Sequence, residues 1–188
     1  MILGVDPGLA HCGWALLAPG GALVDRGVIV TERHEGEVGD AQRRLAEVCR
    51  ALYGKVHHAQ LVVVEWPSAG GFGRSGPPCP VCKQARGNAQ SSAQTNLAAG
   101  AIAGLAWGAG RKVDAPAPVT WRAKLGHKRG ADQALHADLE RRYARELAGL
   151  RKGDLPHVLD AIGLALYAEL VRQPKPESAQ VALAIGAA

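Results

Sequence analysis

A chain of 188 residues, 47% of them hydrophobic, can bury one sizeable core and is too short for two. Few aromatics (4%) beside 24 glycines point to an aliphatic core with closely packed helices. The net charge of +5 is concentrated in the middle: residues 66–152 carry 14 Lys/Arg against 5 Asp/Glu, while residues 1–65 carry 6 against 8 and residues 153–188 carry 2 against 4. A basic middle of this kind suits either a polyanionic partner or a solvated basic face. No apolar run reaches the roughly 18 residues of a membrane span, and MILGVDPG lacks the basic start of a signal peptide. The expectation is an intracellular, cytoplasmic protein with no membrane partner, its four cysteines (Cys12, Cys49, Cys79 and Cys82) reduced.

In chain order, the apolar run Met1–Val5 ends at Asp6-Pro7-Gly8 and predicts a strand entering a turn. GWALL (residues 13–17) and Val24–Val30, separated by Gly20-Gly21, predict two more strands in an antiparallel meander. From Gly39 to Tyr53 the period becomes helical, with Leu45, Val48 and Leu52 on one face and Arg43, Arg44, Glu47 and Arg50 on the other. Leu61–Val64 is continuous and mostly β-branched, as in a buried central strand, and ends at Glu65. A strand–helix–strand crossover places that strand parallel to an earlier one.

Residues 66–82 (WPSAGGFGRSGPPCPVC) read as a long Gly/Pro-rich loop, a length usually tied to function or disorder. Asn96–Trp107 is a helix of small residues, Val113–Ala115 a short strand closed by Pro116 and Pro118. Leu135, Leu139, Tyr143 and Leu147 predict a helix over 130–147, and Val158, Ile162, Leu166 and Leu170 a last helix opened by Pro156. The expected fold is α/β: five strands in a mixed sheet, three antiparallel and then parallel ones, with helices on both faces. Residues 1–172 form a single domain and 173–188 a tail.

Asp6 and Glu65 end two strands expected to be neighbours, and His157 and Asp160 lie three apart on one face of the last helix. Each has a local explanation: a turn Asp, a solvated strand-end Glu, an acid favouring a helix start. Together they describe acids from separate elements converging on one point. Clustered carboxylates repel and call for a cation. Hard oxygen donors suit Mg2+ or Mn2+, and two such ions about 3.5–4 Å apart serve phosphodiester hydrolysis.

ILGVDPGLAHCGWALL resembles the opening of the RuvC family of Holliday-junction resolvases, VVVEWP its central strand, and HVLDAIGLALYAEL its final helix. The three occur in order over residues 1 to about 170. The resemblance implies a ribonuclease H-like fold and a metal-dependent endodeoxyribonuclease, with Asp6, Glu65, His157 and Asp160 as catalytic and metal-binding positions for two Mg2+ or Mn2+ ions. It also implies a homodimer acting on branched, four-way-junction DNA in recombination and repair, nucleoid-associated or phage-encoded. The commonest family pattern has Asp where this chain has His157. A nitrogen ligand there suits Mn2+ better than Mg2+ and could also carry a proton. Alternatively, His157 merely begins the helix and Asp154 supplies the acid.

By place, the resemblance assigns phosphate contact to the basic segment 121–129, with Arg122, Lys124, His127, Lys128 and Arg129. Arg141, Arg142 and Arg145 read as a solvated helix face. Phe72, the single Phe, is the candidate for stacking on bases at the junction centre. Trp66 is the alternative, though its place beside the sheet favours core packing. Cys79 and Cys82 have the spacing of half a structural Zn2+ site, completed only by a second copy across a two-fold axis; a redox pair or plain thiols fit as well. The small-residue helix at 96–107 is the candidate dimer face. Competing readings are a YqgF-like RNA-processing nuclease and a catalytically weakened branched-DNA-binding protein. An actin-like ATPase would need a second domain for which there is no room.

Overall fold

The computed structural model describes residues 1–34, 38–66, 89–127 and 132–172. Strands β1 (Ile2–Asp6), β2 (His11–Leu17) and β3 (Leu23–Val30) precede helix α1 (Asp40–His58) and strand β4 (Leu61–Val64). Helix α2 (Ala89–Gly108), strand β5 (Lys112–Asp114) and helices α3 (Pro118–Lys124), α4 (Asp132–Arg142) and α5 (Leu155–Arg172) follow. The five strands form one sheet in the order β3-β2-β1-β4-β5. The β1–β2 and β2–β3 pairs are antiparallel, and β1–β4 and β4–β5 are parallel. This is the mixed, doubly covered α/β sheet that the hydrophobic patterning predicts.

Strand alternation divides the core in two. Ile2, Ala15, Leu17, Leu61 and Val63 face one way and pack with Trp121, Leu135, Leu139 and the buried side of α5. Leu3, Val5, Trp14, Leu16, Val62 and Val64 face the other way, against Val48, Leu52 and Val56 of α1 and Ile102 and Ala106 of α2. Helix α5 buries Val158, Leu159 and Ala161 through Leu166, so it is apolar over most of its circumference. It can seat itself that deeply because two strand residues on its side are glycines. A Cβ at Gly4 would collide with the backbone of Ala161, and one at Gly13 with the backbone of His157.

Several expectations need correction. Helix α3 is absent from the expected elements: Pro118, expected to close the short strand, opens a helical turn. The helix expected over 130–147 is regular only from Asp132 to Arg142. Turns continue it, and Tyr143 and Leu147 still reach the core through the bonds Tyr143 N–H to Leu139 O and Leu147 N–H to Tyr143 O. Arg44 is not on the solvated face of α1 but buried, its Nε donating to Thr31 Oγ1 at 2.8 Å. Thr31 Oγ1 in turn donates to Leu9 O. Trp66 is 41% exposed and so is not a core residue. Among the described residues no helix is long and apolar enough to cross a membrane.

Candidate active site

Parity along the strands decides where the acids point. Asp6 follows Ile2 and Gly4 on the face of β1 that meets α5, and Glu65, just past β4, continues the face of Leu61 and Val63. Glu65 N–H donates to Val5 O at 3.1 Å, extending the parallel ladder by one bond and holding the two acids at the same end of the sheet. The first turns of α5 arrive over this end, with Gly13 paired in register with Asp6. His157 and Asp160 therefore come from above while Asp6 and Glu65 come from below. The four residues singled out from the sequence are brought together.

Each acid already has a protein partner. His157 Nδ1 donates to Asp6 Oδ2 at 2.8 Å, and the exposed His11 ring stacks on His157 with centroids 5.5 Å apart and planes 3° from parallel. The fully buried Trp121 donates its indole N–H to Glu65 Oε2 at 2.8 Å. His136 Nε2 lies 3.0 Å from Asp160 Oδ1. Arg122 reaches into the middle, with one terminal nitrogen 3.4 Å from both Asp160 oxygens and 3.9 Å from Glu65 Oε2, while its Nε is 3.3 Å from Asp132 Oδ1.

The electrostatics report the crowding. Burial, reinforced by the charges of Asp6 and Asp160, pushes the Glu65 carboxyl up to about 7, against the pull of the Trp121 bond and of Arg122. Burial likewise raises Asp6, opposed by its bond from His157, and Asp160 raises it further. The His157 imidazole is raised chiefly by its hydrogen bond to Asp6.

Three carboxylates and one imidazole form a donor set suited to Mg2+ or Mn2+. Glu65 and Asp6 are raised first by burial and then by the neighbouring acids, so ionising them together is unfavourable without a further positive charge. Side-chain directions are another matter: among the described residues no three His, Cys, Asp or Glu side chains stand close enough together to hold an ion. The acids are turned toward Trp121, Arg122, His136 and His157 instead. The donor chemistry fits such a centre, and the backbones of β1, β4 and α5 bring the four positions to one end of the sheet.

Of the other predicted site residues, Lys124 is exposed at the end of α3, and His127 is partly buried with Nε2 3.9 Å from Asp138 Oδ2. Arg122 lies among the acids, not on an outward basic surface. Phe72, Cys79, Cys82, Lys128 and Arg129 lie outside the described residues. His11, Trp121, Asp132 and His136 were not anticipated at the site. No local pattern marks Trp121 or His136: α3 is too short to show a period, and the helical neighbours of His136 are mostly polar.

No family model matches the chain, and no curated protein matches it. Solved structures do. Thermus thermophilus RuvC in complex with a Holliday junction substrate superposes with a TM-score of 0.66 at 20% identity, covering 90% of this chain and 92% of that one. A second Thermus thermophilus RuvC structure gives 0.63 at 22% identity, over 91% and 95%. A Fowlpox virus resolvase with Holliday junction DNA gives 0.51 at 13%, over 90% and 98%. What this chain shares with them is the ribonuclease H-like fold, over nearly its whole length.

Proposed function

We propose that the chain is a structure-selective endonuclease that resolves four-way DNA junctions by paired, metal-dependent phosphodiester hydrolysis. The observation that carries this is the convergence of Asp6, Glu65, His157 and Asp160 from two neighbouring strand ends and one helix turn. It is supported by the fold shared with resolvases that bind Holliday junctions.

Asp6, Glu65, Asp160 and His157 would hold the divalent ions. Bound there, a pair of Mg2+ or Mn2+ ions supplies an activated water and stabilises the oxygen that leaves phosphorus. Asp6 and Glu65, fixed by the parallel β1–β4 register, set the position of the centre relative to the sheet. Trp121 locks the direction of Glu65 by its indole N–H and, being buried itself, excludes water from that side. His157 holds a proton at Nδ1 against Asp6 and is placed to pass one on near neutral pH. Lys124, His127, Lys128 and Arg129, downstream of Arg122, would neutralise phosphates beside the cut, and Phe72 would stack on an opened base. A junction with two-fold symmetry needs two opposed nicks, hence a symmetric dimer, in which paired Cys79 and Cys82 could share one Zn2+.

The test is a labelled immobile four-way junction beside a matched duplex, with Mg2+, Mn2+ or EDTA, using wild type and Asp6→Asn. Paired symmetric nicks on the junction alone, lost in EDTA and in Asp6→Asn, are the expected result. Binding without cutting in either metal would instead make the chain a silent junction binder, consistent with the carboxylates being turned to protein partners. No preference for the junction would move the search to RNA substrates.

A further inference from the structure

The position of Arg122 is unexpected for a residue of a basic segment. A side chain that reads as phosphate-facing is folded back among Glu65, Asp132 and Asp160. Its contacts are numerous and all of them slack. Charge-assisted N–H···O bonds settle at about 2.7–2.9 Å, whereas those of Arg122 stand at 3.3, 3.4, 3.4 and 3.9 Å. Its buried Nε makes no properly directed hydrogen bond among the described residues. The guanidinium thus supplies charge to the cluster without being tightly held by any one acid. It rests 4.7 Å from the Trp121 ring, a flat surface over which it can swing without losing its packing.

Building on the nuclease assignment, we propose that Arg122 is a resident counter-ion of the acidic cluster, which competes with divalent cations until a DNA phosphate draws it away. A guanidinium fork matches a phosphate in geometry and charge better than it matches two separate carboxylates, Asp160 at 3.4 Å and Glu65 at 3.9 Å. Its departure removes one positive charge and frees oxygens of Glu65 and Asp160 together. A cation arriving first meets a like charge a few ångströms away and carboxylates already engaged. Metal would therefore load with the substrate, which keeps a nuclease centre idle in its absence. Asp132, at the first turn of α4 and beside the basic segment, holds the outer side of the guanidinium and marks the way out.

The experiment is Mn2+ binding to DNA-free protein, followed by the free-ion electron paramagnetic resonance signal and by calorimetry, for wild type and Arg122→Gln, Arg122→Met and Arg122→Lys. Asp160→Asn, expected to abolish the bound fraction, locates the ion. Both neutral variants should bind Mn2+ about tenfold tighter than wild type, or more, while Arg122→Lys, which keeps the charge, stays within about threefold. Either neutral variant with a wild-type circular dichroism spectrum suffices to decide. Equal or weaker Mn2+ binding by the neutral variants overturns the counter-ion role, and the junction assay then stands or falls by itself. Tightened binding in a protein whose wild type leaves junctions uncut would sink the nuclease assignment and keep the counter-ion. Absence of Mn2+ binding in every variant overturns both.

Discussion

Replacing Glu65 with Gln should make the metal-free protein more stable, and by an amount that depends on pH. Glu65 ionises at about 7 in the folded chain against an ordinary value of 4.5, chiefly because it is buried and next because Asp6 lies close. Between those values the folded chain retains a proton that the unfolded chain has lost, so stability falls as pH rises through that window and stays reduced above it. At about 1.4 kcal/mol per pH unit, the ionised side chain costs the fold about 3 kcal/mol at pH 8. The side chain is 18% exposed, and solvation at that edge can trim the figure to about half. Gln is neutral throughout, has nearly the same shape and keeps an oxygen for the Trp121 N–H. Urea denaturation in EDTA should therefore show the two proteins nearly equal at pH 4.5 and the variant ahead by about 1.5–3 kcal/mol at pH 8. Saturating Mn2+ should reverse the order, stabilising wild type alone. A stability difference that stays flat between pH 4.5 and 8 would refute the reasoning, because it would mean that Glu65 ionises as freely folded as unfolded.

Three further outcomes are expected. Asp6→Asn replaces the charged acceptor that raises His157 with a neutral one, so the His157 ring, followed by NMR, should titrate at lower pH; the stability this pair contributes is present below the ordinary histidine value and lost as pH rises through the raised one. Gly13→Ala drives a methyl group into the His157 backbone and should cost about 2–3 kcal/mol in urea denaturation, the upper part of the overpacking range, with cleavage lost even where the protein still folds. Thr31→Val leaves the buried Arg44 Nε without its oxygen and should cost about 2 kcal/mol, whereas Thr31→Ser, which keeps the hydroxyl, should cost less than half of that.

The sheet, helix α5 and the four converging residues were all legible because each announces itself locally. Leu61–Val64 is a short, mostly β-branched run as a buried strand requires, Asp6 and Glu65 sit where apolar runs stop, and a three-residue spacing puts His157 and Asp160 on one helix face. What surrounds them was not legible, since it depends on packing between distant segments. Trp121 reaches Glu65 across 56 positions, Arg122 reaches Asp160 across 38 and His136 does so across 24. Helix α3 has seven residues, too few to display a period, so nothing local says that Trp121 and Arg122 face inward while Lys124 faces out. Arg44 is a different case: the period itself puts it on the buried stripe with Val48, Leu52 and Val56, and only its charge argued for the opposite face, because the Thr31 hydroxyl that satisfies it comes from a distant segment.

The pairing of Asp6 with Gly13 gives the opening motif a meaning beyond its turn. Residues directly opposite in an antiparallel pair project to the same face, so whatever occupies position 13 stands beside the Asp6 carboxylate. Any side chain there would fill the space taken by the His157 backbone. The acid at 6 and the glycine at 13 are therefore one specification: the first places a charge, and the second lets the turn carrying His157 and Asp160 descend to within hydrogen-bonding distance of it. Gly4 does the same one turn further along α5, against Ala161 and Ala165. Without those two glycines the helix would ride higher over the sheet, and the bond between His157 and Asp6 could not form.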